Sequence, residues 1–150
     1  MRALTLLGQS LVAAAVLAAG MPAVAQEARK IAPDQLYHDW ILINHRDQGV
    51  SVDLPNSGVN IYKPGCVAVT FLIGSDGKPM DLQVAKIAPP SDLGKAAISA
   101  VSQFEYGPSL SNNEHKPVAT YYIVPFNAPN DQAKRDALTA QCKLPGYGAA

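Results

Sequence analysis

In this chain of 150 residues, the two cysteines, Cys66 and Cys142, are the residues whose chemistry is easiest to predict. They are too few for a four-ligand zinc site and do not form a Cys-x-x-Cys motif. In an exported chain, which the leader described below indicates, an even number of cysteines usually pairs, and two buried free thiols are the alternative. We expect a Cys66–Cys142 disulfide that ties the C-terminal segment to the core, with Cα atoms about 4.4 to 6.8 Å apart.

The other candidate catalytic groups form no recognisable motif. His38, His45 and His115 are scattered without a His-Glu-x-x-His spacing, which favours surface or half-buried histidines over a metal site. Ser75-Asp76-Gly77 lacks the Gly-x-Ser-x-Gly elbow of a nucleophilic serine and is typical of a turn. The sequence therefore predicts no enzyme, no metal and no cofactor.

Composition indicates one small folded domain. Twelve basic residues balance twelve acidic ones, so no broad basic face is available for nucleic acid or for anionic lipid. Hydrophobic residues make up 48% of the chain and charged residues 16%, and its twelve prolines and eleven glycines follow no period. These values exclude collagen-like, coiled-coil and wholly disordered classes.

The N-terminus has the pattern of a secretory signal peptide. Met1-Arg2 is positively charged, Leu4 to Gly20 is mostly apolar, and Ala23-Val24-Ala25 is a small-x-small site. An uncleaved anchor is the alternative, but the longest clean apolar run, Leu11 to Ala19, is far shorter than the roughly 20 residues of a spanning helix. We expect cleavage after Ala25 and a periplasmic product with no membrane span.

An antiparallel hairpin is predicted in the middle of the chain. Residues alternate from Cys66 to Ile73, with Val67, Val69, Phe71 and Ile73 on one apolar face. The Asp76-Gly77 pair provides the tight reversal. Alternation resumes over Met80–Ile87, with Met80, Leu82 and Val84 expected to point inward.

A helix and a third strand follow the hairpin. Ser91 is expected to cap a helix over Asp92–Phe104, whose apolar residues recur every three or four positions. The run Val118–Phe126 alternates again, and its expected inward set is Val118, Thr120, Tyr122, Val124 and Phe126. The predicted fold class is α+β, a three-stranded antiparallel sheet with one helix packed on a face and flanking helical segments.

The flanks are less regular. Asp34 to His45 suits either a short helix or a strand, and we predict a helix. Pro129-Asn130-Asp131 opens a C-terminal helix in which Ala133, Ala137, Leu138 and Cys142 can share a face. The chain divides into a signal peptide over 1–25, an N-terminal extension over 26–64, a domain over 65–127 and a C-terminal helical segment and tail over 128–150.

The order of these elements resembles the TonB C-terminal domain family. The resemblance covers about Gly65 to Phe126 and rests on a Gly-x-Val-x-Val-x-Phe strand, an Asp-Gly turn, an apolar helix with a central Ala pair, an aromatic-x-aromatic-x-Pro stop and a last strand ending in Phe. Those elements are Gly65–Ile73, Asp76-Gly77, Ala96-Ala97, Phe104–Pro108 and Pro117-Val118 to Phe126. The resemblance implies a non-enzymatic domain that engages an outer-membrane receptor beside its last strand.

The function predicted from this pattern is binding by strand addition. The edge around Thr120, Tyr121, Ile123 and Val124 is expected to accept an extended segment of an envelope protein, an outer-membrane receptor by the resemblance, in a role linked to outer-membrane transport. The alternative is a structural or accessory envelope protein without energy transduction, in which residues 26–64 cover the edge. A small exported enzyme is a third reading and needs a deep polar pocket. Whether the Val118–Phe126 edge is free separates the first two.

Overall fold

A computed structural model describes residues 27–44 and 62–148 of the chain. The predicted signal peptide, its cleavage site after Ala25 and His45 lie outside these residues. Within the described ranges no helix is both long and apolar enough to cross a membrane.

The fold is α+β, as predicted, and its regular elements are short. The two nine-residue strands, Gly65–Ile73 and Val118–Phe126, are rich in β-branched and aromatic residues. In chain order the elements are β1 (Arg29–Lys30), β2 (Trp40–Leu42), β3 (Gly65–Ile73), β4 (Pro79–Ala88), α1 (Gly94–Ser102), β5 (Tyr106–Pro108), β6 (Val118–Phe126) and α2 (Gln132–Ala140).

The main sheet has four strands in the order β1-β6-β3-β4, where three were expected. β3 is central and pairs antiparallel with β4 and with β6, from Gly65↔Phe126 to Ile73↔Val118. The additional strand, β1, runs parallel to β6 through Arg29↔Val118 and Lys30↔Ala119. Two residues are too few to show a period, so the sequence pattern missed this strand.

The predicted hairpin is present, but its second strand is less regular than expected. Gly77 has φ +77° and donates its N–H to the Gly74 carbonyl over 2.9 Å, which closes the turn. The β3–β4 register shifts twice, and Asp81 has a positive φ. Val84 lies opposite Val69 on the expected face, and Leu82 packs against the core there, although Val84 is partly exposed. Met80 lies opposite Leu72 on the other face, because of the register shift between Thr70 and Leu72, so its expected inward orientation was wrong.

One face of the sheet, which we call the helix face, carries the larger core. It consists of Val67, Val69, Phe71 and Ile73, as predicted, and α1 packs on it through Ala97 and Val101. The helix is shorter than the predicted Asp92–Phe104 and begins after Leu93, whose N–H lies 3.5 Å from the Ser91 hydroxyl. Ile31 and Trp40 belong to this same core, so residues N-terminal to the predicted domain complete it.

The opposite face, which we call the disulfide face, is covered by the C-terminal segment. Cys66 and Cys142 form the predicted disulfide, with Cα atoms 6.1 Å apart. Leu138 and Cys142 are buried. Ala133 and Ala137 are exposed, contrary to expectation, because α2 contacts the sheet only near its C-terminal end.

The segment predicted as a helix over Asp34–His45 folds differently. It forms a single 3₁₀ turn, Leu36–His38, and then the strand β2. β2 pairs antiparallel with β5, from Trp40↔Pro108 to Leu42↔Tyr106. The backbone partners of β2 therefore come from more than sixty residues away, and local periodicity carries no information about them.

Candidate functional site: the outer side of the last strand

The outer side of β6 is divided into a paired part and an open part. At its start, Ile31 donates its N–H to the Ala119 carbonyl over 2.9 Å. The Thr120 hydroxyl donates to the Ile31 carbonyl over 2.8 Å. Beyond Thr120, no residue of ranges 27–44 and 62–148 is paired with this side of the strand. We call residues 121–126 the open rim.

The direction of the backbone groups in the open rim follows from the register. The Ala119 carbonyl points outward, toward Ile31, and alternate residues of a strand point their backbone groups to the same side. Tyr121 and Ile123 therefore present both N–H and C=O outward. The residues between them bond to β3, on the inner side.

Pro125 fits this arrangement. It lies opposite Cys66 and, counting in steps of two from Ala119, its nitrogen points outward, so no hydrogen bond to β3 is lost. Proline is confined to edge strands and bulges for this reason. The open rim therefore presents two outward backbone donors, at Tyr121 and Ile123. The next outward position, Pro125, has no donor.

The predicted partner-binding side chains are mostly not exposed. Thr120 is fully buried beneath Ile31, and Tyr121 is only 6% exposed. Ile123 and Val124 are half-buried. Thr120 belongs to the expected inward set and is buried, whereas Tyr121, one of the two side chains expected to contact a partner, is buried because the C-terminal tail covers it.

The tail covers Tyr121 through an aromatic contact. The Tyr121 and Tyr147 rings meet edge to face with centroids 4.8 Å apart. Burial, and secondarily the neighbouring Tyr121, raise the pKa of Tyr147 above its usual value. What the open rim presents to a partner is therefore mainly backbone, with side chains beside it.

A groove opens along the start of the open rim on the helix face. Its volume is about 380 Å³. Tyr121 and Tyr122 point to opposite faces of the strand, so a cavity that touches both lies at the lateral edge of the sheet. We call this cavity the aromatic groove; its lining is uncharged and consists of Pro33, Leu36, Tyr37, Trp40, Ile41, Leu42, Tyr106, Tyr121 and Tyr122.

Tyr106 and Tyr122 form the inner wall of the groove, and Phe104 packs against both rings. Phe104 contacts Tyr122 edge to face, with ring centroids 4.9 Å apart, and Tyr106 lies next to Phe104. Phe104 and Tyr106 are buried, as expected for core residues. Burial, and secondarily the nearby Tyr122, raise the pKa of Tyr106 far above its usual value.

The two described histidines are not among the lining residues of the groove but neighbour them, and His115 is edge to face with Trp40 at a ring-centroid distance of 6.1 Å. His38 stacks against Tyr37, and the His115 Nδ1 lies 3.2 Å from the Ser75 carbonyl oxygen. Within the part of the chain that the structure describes, no three histidine, cysteine or acidic side chains come close enough to hold a metal ion.

Sequence reasoning missed the outer wall of the groove. Tyr37 and Ile41 are 60% and 50% exposed, although both are large and apolar. They lie in the segment that was assigned to a helix and treated as an extension. The sequence does show several large apolar residues close together in an otherwise polar stretch. That cluster does not reveal where the segment packs.

One comparison with known proteins, that with family models, agrees with the resemblance noted above. Residues 59–127 match the family model described as Gram-negative bacterial TonB protein C-terminal. Among solved structures, the chain is similar to the solution NMR structure of the Pseudomonas aeruginosa TonB CTD, with 20% identity and a TM-score of 0.47. That match covers 70% of this chain and 100% of the other. No curated protein matches the chain.

Proposed function

Residues 59–127 belong to the TonB C-terminal domain family, and from this premise we propose that the protein is an exported, non-enzymatic binding module of the cell envelope. It accepts an extended segment of a periplasm-facing protein, such as an outer-membrane receptor, along the open rim. The bound segment adds a strand beside β6.

The observation that carries the proposal is the pair of outward-facing N–H and C=O sets at Tyr121 and Ile123. Unpaired backbone groups at a sheet edge are satisfied by an incoming strand, which gives affinity through main-chain hydrogen bonds. The length available is limited on one side by Ile31 and on the other by Pro125. A short segment fits between these limits.

The opposite rim of the sheet is less suited to this role. β4 has two register shifts against β3 and a positive φ at Asp81, whereas β6 pairs with β3 over nine residues without a shift. Bulges of this kind protect an edge from pairing with other chains. Strand addition is therefore favoured at β6.

One observation favours a second candidate, a structural or accessory envelope protein with a covered edge. β1 occupies the rim at Val118 and Ala119, which is the type of coverage that this alternative requires. The two candidates differ in whether the open rim takes part in binding, so a test at Ile123 separates them.

The test is the substitution Ile123→Pro in the full chain, expressed with its leader. The substitution removes an outward N–H and leaves every hydrogen bond to β3 in place. Pro125, two residues away, shows that this side of the strand accepts a proline. Ile123→Val, which keeps the N–H, is the matched control. Partners are captured by crosslinking in the periplasm and identified by mass spectrometry.

We expect Ile123→Pro to lower the yield of the main crosslinked partner roughly tenfold, since loss of one interfacial hydrogen bond and crowding of the added strand cost at least about 1.4 kcal/mol. Ile123→Val should retain the yield. If Ile123→Pro has an unchanged thermal unfolding curve and captures the same partners as Ile123→Val, strand addition at the open rim is wrong and the accessory role is favoured.

The export part of the proposal has its own measurement. Cleavage at the small-x-small site predicts a mature N-terminus at Gln26. Intact-mass spectrometry of the protein recovered from the periplasmic fraction should show this terminus. Recovery only from the cytoplasm with Met1 or Arg2 at the terminus contradicts export.

A further inference from the structure

The aromatic groove is lined in part by residues outside the family-matched range. Pro33, Leu36, Tyr37 and Ile41 precede residue 59, where the family match begins. This wall is therefore a feature of this chain's own N-terminal segment. Its position at the edge of the sheet places it beside any strand that pairs with Tyr121 and Ile123.

The groove combines apolar exposure with an absence of charge. Tyr37, Ile41 and Tyr122 are among the large hydrophobic side chains that the described structure leaves exposed, and all three line this one cavity. Clustered exposed apolar side chains indicate an interaction surface. None of the lining residues carries a charge at neutral pH, so a charged group placed there loses water and gains no counter-charge.

The side chains of an added strand reach the groove at alternate positions only. Successive residues of a strand point to opposite faces. One set would face Tyr122 and the groove wall, and the other set would lie toward the disulfide face, near Ile123 and Tyr147. The groove therefore contacts only every second side chain of the added strand.

From this geometry we infer that the aromatic groove selects the partner: the bound segment is an extended peptide with an uncharged, apolar side chain, aliphatic or aromatic, at the position that faces Tyr37 and Ile41. The inference rests on the proposed function, since the rim positions the peptide. The rim supplies sequence-independent affinity, and the groove supplies specificity.

The experiment uses synthetic peptides and the fluorescence of Trp40, the single tryptophan of the chain, which lines the groove. The probe is an acetylated, amidated peptide of alternating valine and threonine with a lysine at each end. Two further peptides replace the central valine with aspartate or with lysine. Binding to the full-length mature protein is measured from the change in Trp40 emission and checked by calorimetry.

The key variant is Ile41→Asp, and Ile43→Asp is its matched control. Both isoleucines are largely exposed, at 50% and 63%, but only Ile41 lines the groove. Tyr37→Ser is a second groove variant, at a side chain that is 60% exposed. Circular dichroism melting curves verify that each variant is folded.

We expect the unmodified protein to bind the valine peptide roughly tenfold more tightly than either charged peptide, because burying an apolar side chain is favourable and burying a charge is not. Ile41→Asp should lose roughly tenfold in affinity for the valine peptide and should bind the lysine peptide more tightly than the aspartate peptide. Tyr37→Ser should also lower the affinity for the valine peptide, and Ile43→Asp should leave that affinity unchanged.

Three results overturn the inference. The first is equal affinity for the three peptides, the second is equal affinity of the unmodified protein and Ile41→Asp for the valine peptide, and the third is no measurable binding of that peptide. Ile123→Pro distinguishes the first two of these failures from failure of the proposed function. If Ile123→Pro lowers the affinity for all three peptides equally while Ile41→Asp leaves these affinities unchanged, the rim binds peptides without selection by the groove.

Discussion

At the scale of single residues, Gly77 occupies a position where a side chain has no room. Its φ of +77° lies in the left-handed region. A Cβ at this position would stand 2.0 Å from the Tyr106 carbonyl oxygen. Tyr106 donates its N–H to the Gly77 carbonyl over 2.9 Å, and this hydrogen bond holds the turn against β5. One glycine thus joins the hairpin to the element that forms the inner wall of the groove.

The substitution Gly77→Ala should lower the free energy of unfolding by about 3 kcal/mol, from left-handed strain of about 1 to 2 kcal/mol and a backbone clash of similar size. Gly146→Ala is the control, because Gly146 has φ +83° and nothing within 4 Å of its added Cβ. That variant should lose only about 1 kcal/mol. Urea unfolding at constant m-value measures both, and equal losses would contradict a clash at Gly77.

Pro125 and Thr120 define the ends of the binding site in opposite ways. Thr120 donates its hydroxyl proton to the Ile31 carbonyl and so helps to hold β1 in place. Pro125 has no N–H, so the rim has no backbone donor at that position. Neither residue type signals this role in the sequence, because the role depends on which neighbour lies beside the strand.

At the scale of elements, the two short strands β1 and β2 have the largest effect on function. β1 shortens the available rim, and β2 provides Trp40, Ile41 and Leu42 to the groove. Both lie in the segment that the sequence pattern assigns to an extension of the domain. An isolated strand of two or three residues is unstable in water, so each forms only against its partner, β6 or β5.

α2 is an element fastened at one end. The Asp131 carboxylate accepts the Lys134 N–H over 2.9 Å and caps the helix. At the other end Leu138 is buried and Cys142 is bonded to β3. The middle of the helix contacts little, and the disulfide accounts for its position.

At the scale of the whole molecule, the disulfide connects the C-terminal tail to the binding rim. After Cys142 the tail returns to the sheet, where Gly148 accepts the Ala32 N–H over 3.1 Å and bridges to Ile31. Ile31 in turn covers Ala119 and Thr120. The tail therefore supports the strand that closes one end of the open rim.

Breaking the disulfide should lower the free energy of unfolding by about 4 kcal/mol on the chain-entropy model, for cysteines separated by 76 residues. In the Cys66→Ala plus Cys142→Ala variant, amide hydrogen exchange should accelerate first in α2 and the tail, and next at Ile31 and Ala32. A reducing agent should reproduce the effect in the unmodified protein and have no effect on the double variant. Unchanged protection at Ile31 would show that the tail does not support β1.

Much of the central fold could be predicted from local pattern. The alternation over β3 and β6 and the three- and four-residue spacing in α1 are periods of the backbone itself, so the inward residues Val67, Val69, Ala97 and Val101 follow from the sequence. The error over β4 has a physical cause as well. An alternating pattern assumes a regular ladder, and the register shift that turns Met80 to the other face leaves no local signature.

The sequence by itself determined the hairpin, the helix face, the pairing of Cys66 with Cys142 and the location of β6 at the edge of the predicted sheet. Only the tertiary structure decided how much of that edge is open and what lies beside it. Alternation is imposed residue by residue along one strand, whereas the occupancy of an edge depends on which distant segment satisfies its N–H and C=O groups. Here that segment is Arg29–Ile31, and it stops at Thr120.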